Sequence, residues 1–335
     1  MTILAAQLGP AETRFLVFMA VIVVAMAGGY TARRVGLLRP EWARGIMSAA
    51  IIGADAPIAC LAIWHLDMTG GVWRVPVIGL VAIVLVSLAG LALARWRRLG
   101  PAEAAVFGFQ GAMGNVGYTL GGFLCFALWG IQGLAVEQLY CMMWPFFTFL
   151  FCFPVARHYG EAAAGARPAD RPSTPAYVAR MLARSVTDLR SLPLYTAVLG
   201  LALNLGGAAE PTVDREWHLI DGLMILGMCM QFGSIGLTVQ ARRLPAFWKP
   251  ALGSASLKFF LSPLVTAGVA LAFGLTGMPL YVCLLLAVMP SALYSVLIAN
   301  LFGLNKDLAN ATFILTHAIC FAVLIPILAV WYLSG

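Results

Sequence analysis

The sequence predicts an all-α integral membrane protein whose ten transmembrane helices form two inverted repeats of five. The first observation is composition: 61% of the 335 residues are hydrophobic and 10% are charged, whereas a soluble domain carries about 25% charged residues. The second is that apolar stretches long enough to cross a bilayer, about 20 residues, recur along the whole chain. The third is one long linker, which leaves five such stretches on each side.

Ten apolar stretches make up most of the chain. They predict helices over 14–32, 43–64, 74–94, 103–129, 134–156, 192–206, 218–240, 249–275, 280–302 and 309–333. The first stretch lacks a small-residue cleavage site. We therefore expect it to remain in the protein as a membrane helix rather than to be removed as a signal peptide.

The linker divides the chain into three parts: a first five-helix repeat over 1–156, the linker over 157–191, and a second five-helix repeat over 192–335. The second half of the linker is typical of a short amphipathic helix at the membrane surface. Because five is an odd number, two homologous halves must cross the membrane in opposite orientations. Inverted repeats with discontinuous helices near the midplane are a transporter architecture.

Basic residues predict the orientation of the chain in the membrane. The loops after the odd-numbered stretches contain 17 Lys and Arg residues, and the opposite side contains three, Arg14, Arg74 and Arg215. Cytoplasmic loops carry the excess of basic residues, so we expect both termini outside the cytoplasm. The net charge of +7 reflects this asymmetry, and no nucleic-acid surface is expected.

Two stretches in corresponding positions of the two halves carry helix-breaking residues. The fourth stretch contains "GAMGNVGYTLGG" at 111–122, and glycine costs a helix about 1 kcal/mol relative to alanine. The ninth reads "LLLAVMPSALYSVLIANLFG" with Pro290 in its middle, where proline removes a backbone donor. Interrupted spans in corresponding positions point to a binding site. The alternative is that these glycines only permit close helix packing.

Several motifs resemble the auxin efflux carrier family, in its bacterial branch of malonate or dicarboxylate carrier-like secondary transporters. They are "PAEAAVFGF" at 101–109, "NVGYTLGG" at 115–122, "LKFFLSPLVTAGVALAFG" at 257–274 and "VMPSALYSVLIANLFGLNKDLANATFILTHAICFAVLIPI" at 288–327. The resemblance implies the fold of sodium/proton antiporters and bile acid symporters, with broken fourth and ninth helices that cross at the midplane. It also implies a bacterial inner membrane location and carboxylate substrates, and it is compatible with a homodimer.

The family's first broken helix usually reads Asn-x-Gly, then an aromatic residue and, a few residues later, a proline. Asn115, Gly117 and Tyr118 fit this pattern, whereas Gly122 stands where the proline is expected, and Pro290 keeps the proline of the second broken helix. Backbone N–H groups at a broken helix can receive an anion, and amides can bind a carboxylate. The predicted substrate site comprises Asn115, Gly117, Tyr118, Gly121, Gly122, Pro290, Ser291, Tyr294, Asn300 and Gln231.

Ionisable residues inside apolar stretches are candidates for proton coupling, because each is costly there. Asp55 is the candidate coupling carboxylate, and the alternative is a structural carboxylate at the helix end near Pro57. Lys258 is expected to pair with Asp55 or to attract the substrate, or else to extend its amine to the cytoplasmic interface. His317 is either a proton shuttle or a structural histidine.

These features predict a secondary active transporter of a small organic anion, a dicarboxylate or an auxin-like carboxylate, coupled to H+. Two alternatives stay open: a sodium-coupled carrier of a bulkier amphipathic or lipid-like substrate, and a non-transporting membrane receptor of the same fold. No enzymatic motif, nucleotide signature or cofactor site is predicted. The seven cysteines lack metal-ligand spacing, so no metal site is expected. The predicted partners are the anion, the coupling ion and membrane lipid.

Overall fold

The computed structural model describes residues 10–117, 119–165, 179–180, 183, 187–209, 218–238 and 244–334. Most of these residues lie in helices. Among the described residues the β-type pairing is a single isolated bridge, between Gly114 and Ser291. Seven helical segments in the described part are long and apolar enough to cross a membrane: Phe15–Arg34, Trp42–Trp64, Val72–Trp96, Leu120–Ala163, Leu219–Thr238, Pro245–Ala272 and Lys306–Trp331. The prediction of an all-α, multi-pass membrane protein is therefore confirmed.

The individual helices are shorter than these segments, because turns and breaks interrupt them. Their bounds are Pro10–Arg34, Trp42–Ala50, Ala56–Trp64, Val75–Trp96, Pro101–Ala112, Leu120–Cys141, Trp144–Phe146, Phe153–Ala163, Leu192–Leu205, Leu219–Thr238, Leu244–Ser256, Ser262–Ala272, Gly277–Ala287, Leu293–Leu301, Lys306–Ile319 and Ile325–Ser334. Leu120–Cys141 is two helices joined at Gly130, which leaves the helical conformation at φ 62° and ψ −152°. The surface helix predicted in the linker lies mostly outside the described residues.

Four helical segments contain a π-helical turn, and each turn ends two residues before a proline. The turns are Ile51–Asp55, Phe147–Cys152, Leu257–Leu261 and Cys320–Leu324, and the prolines are Pro57, Pro154, Pro263 and Pro326. Proline clashes with the carbonyl four residues earlier and has no N–H to donate to it. A wider turn accommodates both effects, and such turns are frequent at functional sites. Asp55 and Lys258 each lie in one of these turns.

The helices pack into two bundles. The first bundle contains the helices within 10–34, 42–64, 192–205 and 219–238. The second contains the helices within 75–112, 153–163, 244–272, 277–301 and 306–319. The helix Leu120–Cys141 lies between them and contacts both. Stacked rings of Phe18 and Phe126, with centroids 5.9 Å apart, join it to the first bundle. The two bundles thus meet along one helix.

Glycine permits the closest helix contact of the first bundle, between helices 10–34 and 219–238. A Cβ atom on Gly29 would collide with the carbonyl of Gly233, and a Cβ atom on Gly236 would collide with that of Met26. Without a hydrophobic driving force in lipid, such close backbone contact is a main source of helix association. Gly28, one residue before Gly29, has open space around its Cβ position.

We expect Gly29→Ala to lower the thermal unfolding midpoint clearly, because overpacking a tight contact costs about 1–3 kcal/mol. Gly28→Ala is the matched control and should leave the midpoint unchanged, because nothing lies within 4 Å of its Cβ position. Thermal unfolding of both purified variants, followed by size-exclusion chromatography, measures the difference. Equal midpoints for the two variants would show that this helix contact is not tightly packed.

Candidate functional site

Two unwound segments lie side by side near the centre of the second bundle. The first break follows the helix Pro101–Ala112, and its described residues are 113–117 and 119. The second break follows Gly277–Ala287 and comprises residues 288–292. Gly114 and Ser291 form an antiparallel bridge. The N–H of Asn115 donates to the carbonyl of Pro290 at 2.5 Å, and the N–H of Ala292 donates to that of Met113 at 3.0 Å. Each break thus satisfies part of the backbone of the other, as a membrane interior requires.

The glycines of the first break have specific structural roles. Gly117 has a positive φ of 73°, a conformation that glycine adopts without strain. The N–H groups of Gly121 and Gly122 donate to the carbonyls of Asn115 and Gly117, at 3.0 and 2.7 Å. A Cβ atom on Gly121 would lie 2.9 Å from the Cα atom of Val116. The chain therefore uses the N–H of Gly122, which the proline expected at this position from the resemblance would lack.

Asn115 is buried and its side chain is held at both ends. Its Nδ2 atom lies 3.2 Å from Nε2 of His317, and its Oδ1 atom accepts a hydrogen bond from the hydroxyl of Thr119. The Nδ1 atom of His317 lies 2.8 Å from the carbonyl of Phe313. Because a carbonyl only accepts, Nδ1 carries the proton, and Nε2 accepts from Asn115. The network thus orients the amide of Asn115 and requires an uncharged His317.

The helix Lys306–Ile319 supports the second break as well as the first. The N–H of Ser291 donates to the hydroxyl of Thr316 at 3.1 Å, and the hydroxyl of Ser291 donates to the carbonyl of Gln110 at 2.9 Å. Gln110 also donates to the carbonyl of Ala309 at 2.9 Å. All these polar groups are buried, so their mutual hydrogen bonds fix the relative position of the two breaks.

Lys258 belongs to the turn Leu257–Leu261, and its amine contacts the last residue of the helix that precedes the first break. Its side chain is 1% exposed, and its amine donates to the carbonyl of Ala112 at 3.0 Å. The amine therefore does not extend to the membrane surface. Its hydrogen-bond partner in the described structure is a main-chain carbonyl and not Asp55, so the expected Lys258–Asp55 pair does not form.

Asp55 and Gln231 form a buried pair in the first bundle. The Nε2 atom of Gln231 lies 2.9 and 3.1 Å from the two carboxyl oxygens of Asp55. Gln231 belongs to the helix Leu219–Thr238, so this pair links two helices of that bundle. Gln231 was predicted to bind substrate, but in this structure its amide binds Asp55.

Glu137 is a buried acidic residue that the sequence analysis did not single out. Its carboxyl group accepts hydrogen bonds from Gln138 at 2.5 Å and from the thiol of Cys141 at 2.9 Å. A Cβ atom on Gly117 would lie 4.0 Å from Oε1 of Glu137, and one on Gly122 would lie 3.2 Å from Oε2, which places the carboxyl group beside the first break. A lone acidic residue within an apolar stretch was the signal that could have identified it.

Three further residues were predicted to bind substrate: Tyr118, Tyr294 and Asn300. Tyr118 is outside the described residues. Tyr294 is half-buried and stacks on Phe153 with ring centroids 6.5 Å apart. Asn300 is exposed and donates to the carbonyl of Val296 in its own helix at 3.0 Å.

The breaks thus bring together Asn115, Gly117, Gly121, Gly122, Pro290 and Ser291, with His317 and Lys258 beside them. In the described part of the chain, no group of three or more His, Cys, Asp or Glu residues could hold a metal ion. The polar atoms around the two breaks are backbone groups, amides, hydroxyls, one imidazole, one amine and, beside Gly117 and Gly122, the carboxyl group of Glu137. This set can bind an anion by hydrogen bonds and by charge.

Two comparisons of the sequence with known proteins indicate membrane transport. Residues 178–332 match the model of the family described as membrane transport protein. The chain is also similar to a protein of Rhizobium meliloti (strain 1021) named "Putative malonate transporter". Over 257 residues 29% are identical, and the alignment covers 74% of this chain and 72% of that protein. The resemblance found in the sequence motifs is confirmed as a resemblance to membrane transport proteins.

Proposed function

We propose that this chain is a membrane transport protein and, more specifically, a secondary active carrier of a small organic anion. The match of residues 178–332 to a membrane transport family and the similarity to a protein named as a putative malonate transporter support the proposal. The observation that carries the proposal is the crossing of the two breaks, where backbone and side-chain polar groups are buried together. Irregular backbone at membrane depth is tolerated where it is buried in protein or lines a cavity. Discontinuous helices that meet at the midplane form the substrate site of many carriers.

The proposed architecture has ten membrane helices in two inverted halves, residues 1–156 and 192–335, joined by the linker. Two observations support it. The interrupted helix is the fourth of each half, so that the second one is the ninth of the whole chain. The two breaks pair with each other in an antiparallel sense. The last helical segment of each half also contains a π-helical turn followed by a proline, at Phe147–Cys152 and at Cys320–Leu324.

The proposed substrate is a carboxylate such as malonate, in keeping with the name of the similar Rhizobium meliloti protein. The amide of Asn115 supplies a hydrogen-bond donor for it, and Ser291 and the remaining break residues shape the site. Transport would proceed as the first bundle rocks against the second along the helix Leu120–Cys141, so that the crossing opens to each side in turn.

The proposed coupling ion is H+. Buried carboxyl groups inside the membrane are the usual proton carriers of transporters, and Asp55 is buried in the first bundle beside Gln231. The positive-inside pattern supports a bacterial inner membrane location with both termini outside the cytoplasm. A homodimer is compatible with this arrangement.

Uptake of labelled malonate or malate into proteoliposomes tests the proposal. We expect accumulation when a proton gradient is imposed and none when a sodium gradient replaces it. Accumulation with sodium alone would overturn proton coupling but keep the carrier function. Absence of uptake under both gradients, with protein shown to be folded and inserted, would argue against a carrier of small organic anions. It would favour a bulkier amphipathic substrate or a receptor role.

A further inference from the structure

Lys258 occupies an unusual position among the basic residues of the chain. It lies in the π-helical turn Leu257–Leu261, which packs directly against the helix before the first break. A Cβ atom on Gly111 would lie 2.7 Å from Cβ of Leu257, and one on Gly114 would lie 2.9 Å from Nζ of Lys258. Gly111 therefore permits the close contact with Leu257 of this turn, and Gly114 leaves space for the amine of Lys258 beside the break.

The amine lies where two helices end. Ala112, whose carbonyl accepts a hydrogen bond from Nζ at 3.0 Å, is the last residue of the helix Pro101–Ala112. The carbonyl oxygen of Leu286, in the last turn of Gly277–Ala287, would lie 3.3 Å from the same Cβ atom built on Gly114. The last carbonyls of a helix lack partners within the helix, and the helix end carries about half a negative charge. The carbonyl of Leu286 accepts the N–H of Met289 at 3.2 Å and has a second lone pair. Two such ends converge next to Nζ, so this point of the membrane interior favours a cation.

In carriers built from discontinuous helices, the carbonyls at such helix ends coordinate the coupling Na+. We propose that the amine of Lys258 is a built-in cation that occupies the place of a coupling metal ion at this crossing. The inference rests on the proposed carrier function and deepens it. The chain neutralises the two helix ends with its own side chain, and the crossing is complete without bound sodium or potassium.

The shape of the lysine side chain gives the test. Lys258→Ala removes the amine and leaves a space next to the two helix ends, in which a small cation can bind. Lys258→Met removes the charge and fills the space with an apolar chain of similar length. Lys249→Ala is the control, because Lys249 is in the same helical segment but exposed and positioned over the ring of Trp248.

The measurement is the thermal unfolding midpoint of each purified variant, in sodium chloride, in potassium chloride and in N-methyl-D-glucamine chloride. We expect Lys258→Ala to unfold about 5 °C or more below the wild type in N-methyl-D-glucamine, because its helix ends are left without a counter-charge. Sodium or potassium should restore much of this loss, with a shift that grows with the logarithm of the cation concentration. The wild type, Lys258→Met and Lys249→Ala should show no such cation dependence.

Stabilisation of the wild type by sodium or potassium would overturn the proposal, because the cation place would then not be filled by Lys258. A Lys258→Ala variant without cation dependence would overturn it too. If Lys258→Ala does not fold, the wild type and Lys258→Met provide the test. A higher unfolding midpoint of either protein in sodium or potassium chloride than in N-methyl-D-glucamine chloride would contradict the proposal. These measurements need no transport, so a failed uptake experiment leaves them interpretable.

Discussion

Asn115→Ala is expected to weaken substrate binding about tenfold or more, because a buried site that loses a hydrogen-bond partner loses about 1–3 kcal/mol. The amide is held in one orientation between His317 and Thr119, so it costs little to orient when substrate arrives. The variant also leaves His317 without its donor. Isothermal titration of purified protein with malonate measures the affinity of the variant against the wild type.

The matched control is Asn300→Ala. Asn300 is the other predicted amide of the broken helices, but it is exposed and donates to the carbonyl of Val296 in its own helix. We expect its replacement to leave the affinity within about twofold, since exposed side chains contribute little. Equal affinities of Asn115→Ala and the wild type would place the substrate elsewhere. A large loss in Asn300→Ala would move the site toward the end of the second broken helix.

Asp55→Asn is expected to abolish accumulation driven by a proton gradient, while exchange of external for internal substrate continues. Asparagine has nearly the same shape and can still accept a hydrogen bond from Gln231 through its oxygen, but it cannot take up or release a proton. Accumulation and counterflow of labelled substrate in the same proteoliposomes separate these two activities.

Glu137→Gln is the companion variant, because Glu137 is the second buried carboxyl group and lies beside the first break. Since the amide of glutamine keeps one oxygen that can accept a hydrogen bond from Gln138 or Cys141, we expect this variant to keep gradient-driven accumulation. Undiminished accumulation by Asp55→Asn, with loss of accumulation in Glu137→Gln, would transfer the coupling role to Glu137. Loss of counterflow in either variant would indicate a structural role for that carboxyl group.

The membrane character and the positions of the two breaks could be predicted from the sequence, because both depend on local properties. Apolar length identifies membrane helices, and Gly117 and Pro290 interrupt them through their own backbone preferences. The pairing of Gly114 with Ser291 could be expected only through the family resemblance. Nothing local to either residue specifies a partner so distant in the chain.

The surroundings of the buried charges could not be predicted in the same way. The apolar stretch predicted from the sequence begins at 249, and this start places Lys258 only nine residues from a membrane surface. The helical segment begins at Leu244, which places Lys258 about 20 Å along it at 1.5 Å per residue. Similarly, Asp55 has Gln231 as its partner because of how helices of different halves pack, and packing is a property of the whole fold.

The bridge between the two breaks also has a consequence for biosynthesis. A membrane protein is made from its N-terminus, so the first break enters the bilayer long before residues 290–292 exist. Until they arrive, the carbonyl of Met113 and the N–H of Asn115 lack the partners they have in the finished protein, and such groups are costly in lipid. We therefore expect the first half to mature only after the second has been inserted. We expect a chain that stops before the second break to be degraded, because the backbone groups of its first break have no partners.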